Sequence, residues 1–337
     1  MSCRSINKSM YYVPIINRRA IQVSLLLAIL PLLNVCASLD TVLYAEQSAL
    51  DDSVASVTVI QEIGPGTMLH TRGSGFGGVM GQTYTLGYAA AVAARGNDVF
   101  VVDRLAGNLI HISLTLNEAR VLTTLPDPNT HGVYVARDLT VYVVDKFNRA
   151  VRELNDAGQT TRLYADPTLM PAPVDVAETG WGGDIVVADA LNSQLVMFDA
   201  LAGAFDVIGS SDSRQSLAQT MHAIAATRNS VYVLDTGIGE VTRFGLRGNP
   251  IGNYGEDELQ MPTALAVDRC GRLFIADQSG QGILVSLSDM MLPAARAQNS
   301  AMIADEITDL WVDEDFLYVA AGTQGIKILL IEPRCPA

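Results

Sequence analysis

The stretch Ala264-Leu-Ala-Val-Asp-Arg-Cys-Gly-Arg-Leu-Phe-Ile-Ala-Asp277 contains two apolar runs separated by a short polar turn, and it ends on an aspartate. Short apolar runs bounded by turn residues are typical of β-strands. The second run is apolar at consecutive positions, which predicts a strand that is buried on both of its faces. The stretch therefore predicts two antiparallel strands in the interior of an all-β structure.

The second run recurs along the chain at a regular spacing. Its six copies are Phe100-Val-Val-Asp103, Tyr142-Val-Val-Asp145, Val186-Val-Ala-Asp189, Tyr232-Val-Leu-Asp235, Phe274-Ile-Ala-Asp277 and Tyr318-Val-Ala-Ala321, and their last positions are 42, 44, 46, 42 and 44 residues apart. A third apolar strand follows each turn, and a fourth, less regular strand ends the unit. A period of roughly 40–45 residues with four strands per unit is typical of a β-propeller.

Two of the units resemble NHL repeats. The resemblance is carried by Ala188-Asp-Ala-Leu-Asn-Ser-Gln-Leu-Val-Met-Phe198 and by Pro262-Thr-Ala-Leu-Ala-Val-Asp-Arg-Cys-Gly-Arg-Leu-Phe-Ile-Ala-Asp277, and it extends over about residues 88–331. It implies a six-bladed NHL-type β-propeller whose blades are four-stranded antiparallel sheets. The blades are predicted at about residues 88–127, 130–167, 172–212, 218–257, 259–299 and 301–334.

The sixth unit shows only three strands, so the ring needs a further strand to close. In residues 54–63 one face is formed by Ala55, Val57, Val59 and Ile63, while polar residues interrupt the other, as in a half-buried edge strand. We expect this N-terminal strand to complete the C-terminal blade, which also removes an exposed sheet edge. The propeller then spans 54–337, and residues 64–87 form a Gly-rich loop over the channel mouth.

The N-terminal region has the pattern of a secretory signal. Residues 1–37 carry Arg4, Lys8, Arg18 and Arg19, followed by an apolar run to Val35 and a small-residue exit at Ala37. The predicted signal peptide is 1–37, residues 38–53 form a mature N-terminal segment, and no membrane span remains after cleavage. We therefore expect a periplasmic or extracellular protein, with a lipoprotein anchored through Cys36 and a twin-arginine signal as alternatives.

The charge balance is acidic and limits the class of partner. The chain has a formal net charge of −14, and residues 1–37 hold four of its 22 basic residues and none of its 36 acidic ones, so the remainder carries −18. A nucleic-acid-binding protein shows a basic face instead. The sequence therefore predicts no nucleic-acid partner.

The repeated aspartates are predicted to have a structural role. Asp103, Asp145, Asp189, Asp235 and Asp277 occupy one repeat position on five different blades, so they cannot converge on one site. An Asp at a strand end can accept backbone N–H groups of the following turn. We interpret all five as turn residues.

Two histidines are candidate metal ligands in the central channel. His131 and His222 precede the innermost strands of blades 2 and 4. The pattern is similar to that of the amidating lyases of peptide hormones, whose propeller holds a zinc ion with three channel histidines. The third position, in blade 6, falls near Thr308 or Asp309, where no histidine is present.

A second enzyme resemblance concerns the same channel. Lactonases of the gluconolactonase type share the six-bladed topology and bind a divalent cation with Glu, Asn and Asp, and Asn129, Asp175 and Asp309 lie near the corresponding places. No Glu ahead of blade 1 matches the first ligand of that family. The alternative to a binding protein is therefore a lyase or lactonase with Zn²⁺ or Ca²⁺ in the channel.

The cysteines predict one crosslink. If Cys36 is removed with the signal, only Cys270 and Cys335 remain, and an even pair in an exported protein suggests a disulfide.

No Ser-His-Asp order, nucleophile elbow, metalloprotease helix or phosphate loop is present. The sequence therefore predicts a monomeric binding or scaffolding module rather than an enzyme, with a protein or peptide as partner at the loop-rich face.

Overall fold

The computed structural model describes residues 56–71, 83–130, 132–179, 183–209, 217–218, 220–279, 282–287, 290–293 and 304–335. The predicted signal peptide (1–37) and the segment 38–53 lie outside these residues, as does His131. Across the described ranges the only regular elements are β-strands, and none of the chain they cover forms an apolar helix long enough to span a membrane.

Three strands precede the repeats: β1 (Ser56–Ile63), β2 (Leu69–Thr71) and β3 (Thr83–Tyr84). Blade 1 contains β4 (Ala89–Arg95), β5 (Asp98–Asp103), β6 (Asn108–Ser113) and β7 (Glu118–Thr124). Blade 2 contains β8 (Val133–Val135), β9 (Val141–Asp145), β10 (Ala150–Leu154) and β11 (Thr160–Tyr164). Blade 3 contains β12 (Pro173–Glu178), β13 (Ile185–Asp189), β14 (Gln194–Phe198) and β15 (Ala204–Ile208).

Blade 4 contains β16 (Met221–Thr227), β17 (Ser230–Asp235), β18 (Glu240–Gly245) and β19 (Pro250–Tyr254). Blade 5 contains β20 (Pro262–Val267), β21 (Leu273–Asp277), β22 (Gly282–Leu287) and β23 (Met290–Pro293). Blade 6 contains β24 (Asp309–Asp313), β25 (Phe316–Ala320) and β26 (Ile326–Glu332), with β1 as its fourth strand.

The predicted fold is confirmed: the protein is an all-β, six-bladed propeller with antiparallel four-stranded blades. The predicted closure is confirmed as well, because β1 pairs antiparallel with β26, from Ser56 opposite Glu332 to Ile63 opposite Ile326. The N-terminal strand and the last three strands therefore form one sheet.

The sheet of blade 1 has more strands than the four of the repeat unit. Strand β2 pairs in parallel with β7, and β3 pairs antiparallel with β2, so that this sheet has six strands. Both added strands lie within residues 64–87, for which the sequence predicted a loop. They contain only three and two residues, which is too short for an alternating pattern to be visible in the sequence.

The core lies between the blades. The described residues form six apolar clusters, one for each pair of neighbouring blades. Between blades 2 and 3, for example, Tyr164 and Phe198 meet edge to face with ring centroids 5.9 Å apart. The second strand of each blade is packed on both sides, which explains why its apolar residues are consecutive.

Candidate functional site

The antiparallel pairing gives the ring two distinct faces. Ala89 at the start of β4 pairs with Asp103 at the end of β5, which pairs with Asn108 at the start of β6. The repeated aspartates and the turns after them therefore lie on one face, here called the Asp face. The turns between the first and second strands, and between the third and fourth, lie on the opposite face.

Each repeated aspartate is buried and accepts hydrogen bonds from backbone N–H groups. Asp277 accepts from Gln260 at 2.7 Å, before the first strand of its blade, and from Ser279 at 2.8 Å, in the turn that follows. Asp103, Asp189 and Asp235 bridge the same two segments in their blades, and Asp145 holds Asn148 in its own turn. These carboxylates fix the backbone of the Asp face.

The central channel contains a cavity of about 210 Å³. Its wall includes Asp175 and Asp309, and it extends along the first strands toward Asp268 and Glu314 at the opposite face. This is smaller than the roughly 300–1,000 Å³ of drug-sized ligand pockets. The cavity therefore has room for a small ligand or a few waters.

Asp175 and Asp309 occupy the same place in opposite blades. Asp175 of blade 3 accepts from Ile224 N of blade 4 at 2.7 Å and from Val176 N at 2.8 Å. Asp309 of blade 6 accepts from Val92 N of blade 1 at 2.9 Å and from Leu310 N at 2.8 Å. Each carboxyl group thus links the inner edges of two neighbouring blades.

The strand register shows that this position is small in the other four blades. Asp175 pairs with Ala188 and Asp309 with Ala320, one residue before the end of the repeated second-strand motif. The corresponding residues are Ala91, Gly132, Ala223 and Ala264. At Gly132 a Cβ atom would lie 2.9 Å from Asp175 Cα, so the close approach of the two blades requires glycine there.

Burial changes the protonation of both channel carboxyl groups. It raises the pKa of Asp175 to about 7, against the effect of the two backbone N–H bonds and of the Lys146 charge. Burial also raises the pKa of Asp309 well above its usual value, and the nearby charge of Asp175 raises it further. Asp175 can therefore hold a proton near neutral pH.

An arginine and two aromatic rings line the cavity toward the opposite face. Arg95 forms an ion pair with Asp313 and donates to Val135 O at 3.2 Å. Trp311 Nε1 donates to Ala94 O at 2.7 Å, and its ring meets Tyr134 edge to face at 5.0 Å. These contacts fix the side chains that a ligand in the cavity would meet.

His222 lies at a β-bulge of β16, between Met221 and Ala223, which pair with Asp235 and Leu234 of β17. Burial and the nearby Lys146 charge lower its pKa, while a bond with the backbone of Thr263 raises it. The same positive charge opposes a metal cation at this histidine. In blade 6 the predicted third position holds Thr308 instead of a histidine, and its hydroxyl donates to Ala89 O at 2.8 Å.

The structure separates Asn129 from the other two predicted ligands, Asp175 and Asp309. Asn129 is exposed, and its side-chain amide donates to Asp127 at 3.0 Å rather than lining the cavity. Among the described residues the one group of three potential ligands is Asp268, Cys270 and Cys335. A metal at His131 and His222 stays a prediction, because His131 lies outside the described residues.

The structure joins Cys270 and Cys335 by a disulfide, with the two Cα atoms 5.9 Å apart. Cys270 lies in the turn between β20 and β21 on the opposite face, and Cys335 follows β26. Arg269 donates to Cys335 O at 2.7 Å, and Arg272 donates to Pro333 O at 2.9 Å. The segment after β26 is therefore held against blade 5 by both covalent and polar contacts.

The Asp face carries a row of exposed apolar side chains, here called the apolar arc. Its members are Leu105 (73% exposed), Phe147 (76%), Leu191 (70%) and Ile238 (51%). Each lies two or three residues after the repeated Asp, in consecutive blades 1 to 4. The arc was not predicted from the sequence, although an apolar residue recurs in four equivalent polar turns.

The sign of the charge on neighbouring residues differs between the two ends of the apolar arc. Arg104, Lys146 and Arg149 lie in the turns of blades 1 and 2, beside Leu105 and Phe147. Near Ile238 the charged residues are acidic: Glu240 begins β18, and Glu256 and Asp257 lie in the connection from blade 4 to blade 5. The arc thus runs from a basic to an acidic end.

No protein-family model matches the sequence, and no curated protein matches it either. Similar solved structures include a streptogramin B lyase, with a TM-score of 0.56 and 10% identity over 83% of this chain and 99% of that chain. A structural genomics protein from Bacteroides thetaiotaomicron has a TM-score of 0.58 and 16% identity, over 82% and 76% of the two chains. A gluconolactonase from Xanthomonas campestris has a TM-score of 0.54 and 15% identity, over 69% and 82%.

At these identities the similarity shows the fold alone. The protein is a six-bladed β-propeller with lyase- and lactonase-like structural relatives. The resemblance to NHL repeats stays a prediction, since no family model supports it.

Proposed function

We propose that the protein is a binding module whose Asp face holds a peptide or a segment of another protein. The observation that carries this proposal is the apolar arc. Single exposed apolar residues are ordinary, but here large ones recur at equivalent tips of four consecutive blades on the same face. Propellers commonly bind partners through loops on a rigid scaffold.

The turns that carry the arc are fixed in advance. The buried aspartate of each turn holds the backbone on which Leu105, Phe147, Leu191 or Ile238 stands, as Asp189 does by accepting from Asn192 N at 3.0 Å. A surface that is ordered before binding loses less conformational entropy on association. The Asp face therefore suits the binding of an apolar segment.

The test compares two pairs of exposed apolar residues on opposite faces. Peptides are selected from a random display library on the wild-type protein, and their affinities are then measured for Phe147→Ala/Leu191→Ala. The matched control is Leu116→Ala/Leu201→Ala, which removes exposed leucines from turns on the opposite face. We expect at least a tenfold loss of affinity in the first variant and none in the control; equal binding by both variants contradicts the proposal.

A second candidate is an enzyme with its site in the channel. Here the supporting observation is the pair Asp175 and Asp309, two carboxyl groups whose raised pKa values suit proton transfer. In this alternative one carboxyl group donates a proton to a leaving group while the other accepts one. The structural relatives include a gluconolactonase and a virginiamycin B lyase whose structure contains quinupristin, so a gluconolactone and quinupristin are the two substrates to assay.

Turnover that is lost in both Asp175→Asn and Asp309→Asn, and kept in Asp206→Asn, supports the channel enzyme. No turnover by the wild-type protein in either assay leaves the binding module as the function. The affinities of the selected peptides are unaffected by the channel variants in that case, because the arc lies outside the cavity.

We also propose that the protein is exported. The disulfide between Cys270 and Cys335 supports an oxidising compartment. Mass spectrometry of the mature N-terminus tests the proposal: a first residue at Ser38 agrees with it, and an intact first segment in cytoplasmic protein contradicts it.

A further inference from the structure

We propose that the segment bound by the Asp face is an apolar strip with one acidic and one basic end, held in a single orientation. Its acidic end lies over blades 1 and 2, and its basic end lies over blades 4 and 5. This inference rests on the proposed binding function and adds the chemistry of the partner.

The basic end of the arc offers two exposed cations, Arg104 and Arg149. Arg104 stacks over the Tyr88 ring, 5.3 Å from its centroid, which fixes the guanidinium beside Leu105. Arg149 is exposed at the end of the blade 2 turn, whereas Lys146 donates to Asn129 O at 3.0 Å and its charge acts on Asp127 and on the channel residue Asp175. None of the ion pairs between described residues includes Arg104 or Arg149, so a carboxylate of the partner can approach both of them.

The acidic end offers carboxylates that repel each other. Burial raises the pKa of Glu240, and the nearby charge of Glu256 raises it further. Asp257 is exposed next to Glu256, and the ion pairs of the described chain do not include these three residues either. A cation placed between Glu240 and Glu256 would replace a repulsion with two attractions.

The apolar residues lie between these two ends. Leu191 of blade 3 separates Phe147, beside the cations, from Ile238, beside the carboxylates. An apolar strip can therefore cover the arc while its ends meet opposite charges. Exposed charge pairs contribute little individually, but several of them set the orientation and suppress the reversed arrangement.

The test uses two synthetic peptides with the same composition and the same apolar positions. In the block peptide the glutamates are at one end and the lysines at the other; in the alternating peptide they are interleaved. At low salt we expect the block peptide to bind about tenfold more tightly, because only it can satisfy both ends at once. Higher salt should reduce this preference through screening.

Two double variants test the orientation by charge and the apolar contact separately. Glu240→Lys/Glu256→Lys should abolish the preference for the block peptide, and Phe147→Ala/Leu191→Ala should weaken both peptides alike. Equal binding of the two peptides by the wild-type protein overturns the inference and leaves the binding function standing. Failure of both peptides to bind overturns both, and arc-dependent binding to phosphatidylcholine vesicles in place of peptides overturns both in favour of a lipid surface.

Discussion

The aspartate at the end of a second strand connects two segments that are distant in sequence. Asp277 accepts from N–H groups before β20 and from the turn after β21, and it is 2% exposed. Burial opposes its ionisation, but the bonds from Ser279, Gln260 and Met261 outweigh this effect and lower its pKa. The ionised carboxylate is therefore the form that stabilises the fold.

Replacing this aspartate should destabilise the propeller. In Asp277→Ala the N–H groups of Gln260 and Ser279 lose their acceptor, so we expect the free energy of unfolding to fall by about 3 kcal/mol. Urea unfolding measures the change. Asp206→Ala is the control, because that side chain is exposed and accepts from the adjacent Val207 N, and its expected effect is within about 0.5 kcal/mol. Equal effects of the two variants would contradict the role of the repeated aspartate.

The channel carboxyl group of Asp175 should make stability depend on pH. Its pKa is about 7 in the folded protein, and an unfolded Asp titrates near about 4. Between these values the folded state binds a proton that the unfolded state releases, so stability falls as the pH rises from about 4 to about 7. In Asp175→Asn this loss is absent, and the stability curve across the window should be flatter in urea unfolding. A wild-type curve parallel to that of the variant contradicts the raised pKa.

Some residues of the candidate site could be predicted from the sequence more readily than others. The repeated aspartates were predicted because the same residue type ends five equivalent strands. Asp175 and Asp309 were predicted together with Asn129 as channel ligands, but which of these residues share an equivalent position depends on the strand register, which a bulge between Pro173 and Asp175 shifts by one residue. Nothing local in the sequence places that bulge, so the pairing across the channel became visible only in the structure.

Strand β1, at the N-terminal end of the propeller, pairs with β26 at its C-terminal end and so closes the ring. Ile63 is buried between β26 and blade 1, and Ile60 on the same strand is half exposed. Closing the ring in this way covers the edge of β26, which would otherwise be open to association. The alternating pattern made this strand predictable from sequence, in contrast to the short β2 and β3.

The matched pair on β1 tests the closure. Ile63→Ala should lower the free energy of unfolding by about 2–5 kcal/mol through the lost burial and the cavity that remains. Ile60→Ala should change it by less than about 0.5 kcal/mol. Limited proteolysis should cut the first variant earlier within residues 56–71. Similar stability of the two variants would mean that β1 contributes little to the closed ring.

The disulfide connects two elements that are 65 residues apart in sequence. Constraining a loop of that length in the unfolded chain stabilises the folded protein by up to about 4 kcal/mol in the chain-entropy model. Reduction should therefore lower the denaturant midpoint of the wild-type protein. The double variant Cys270→Ser/Cys335→Ser should have the lower midpoint from the start and show no response to reductant. A wild-type midpoint that reductant leaves unchanged contradicts a stabilising crosslink.

At the scale of the whole molecule, the ring places blades 3 and 6 on opposite sides of one channel. Asp175 and Asp309 are 134 positions apart in the sequence, yet the charge of Asp175 raises the pKa of Asp309. Only the closed ring of six blades, completed by β1, brings these two carboxyl groups into one cavity. Their electrostatic coupling is therefore a property of the intact propeller.

This coupling can be measured directly. Asp175→Asn removes the negative charge that opposes ionisation of Asp309, so the pKa of Asp309 should fall, while its own burial keeps it above the usual value. Carboxyl carbon chemical shifts followed through a pH titration report the change. Asp206→Asn, which removes an exposed charge on the outer strand of blade 3, should leave the Asp309 titration where it is in the wild-type protein. An Asp309 titration that is the same in Asp175→Asn and in the wild-type protein would show that the two carboxyl groups titrate independently, and it would contradict their electrostatic coupling across the channel.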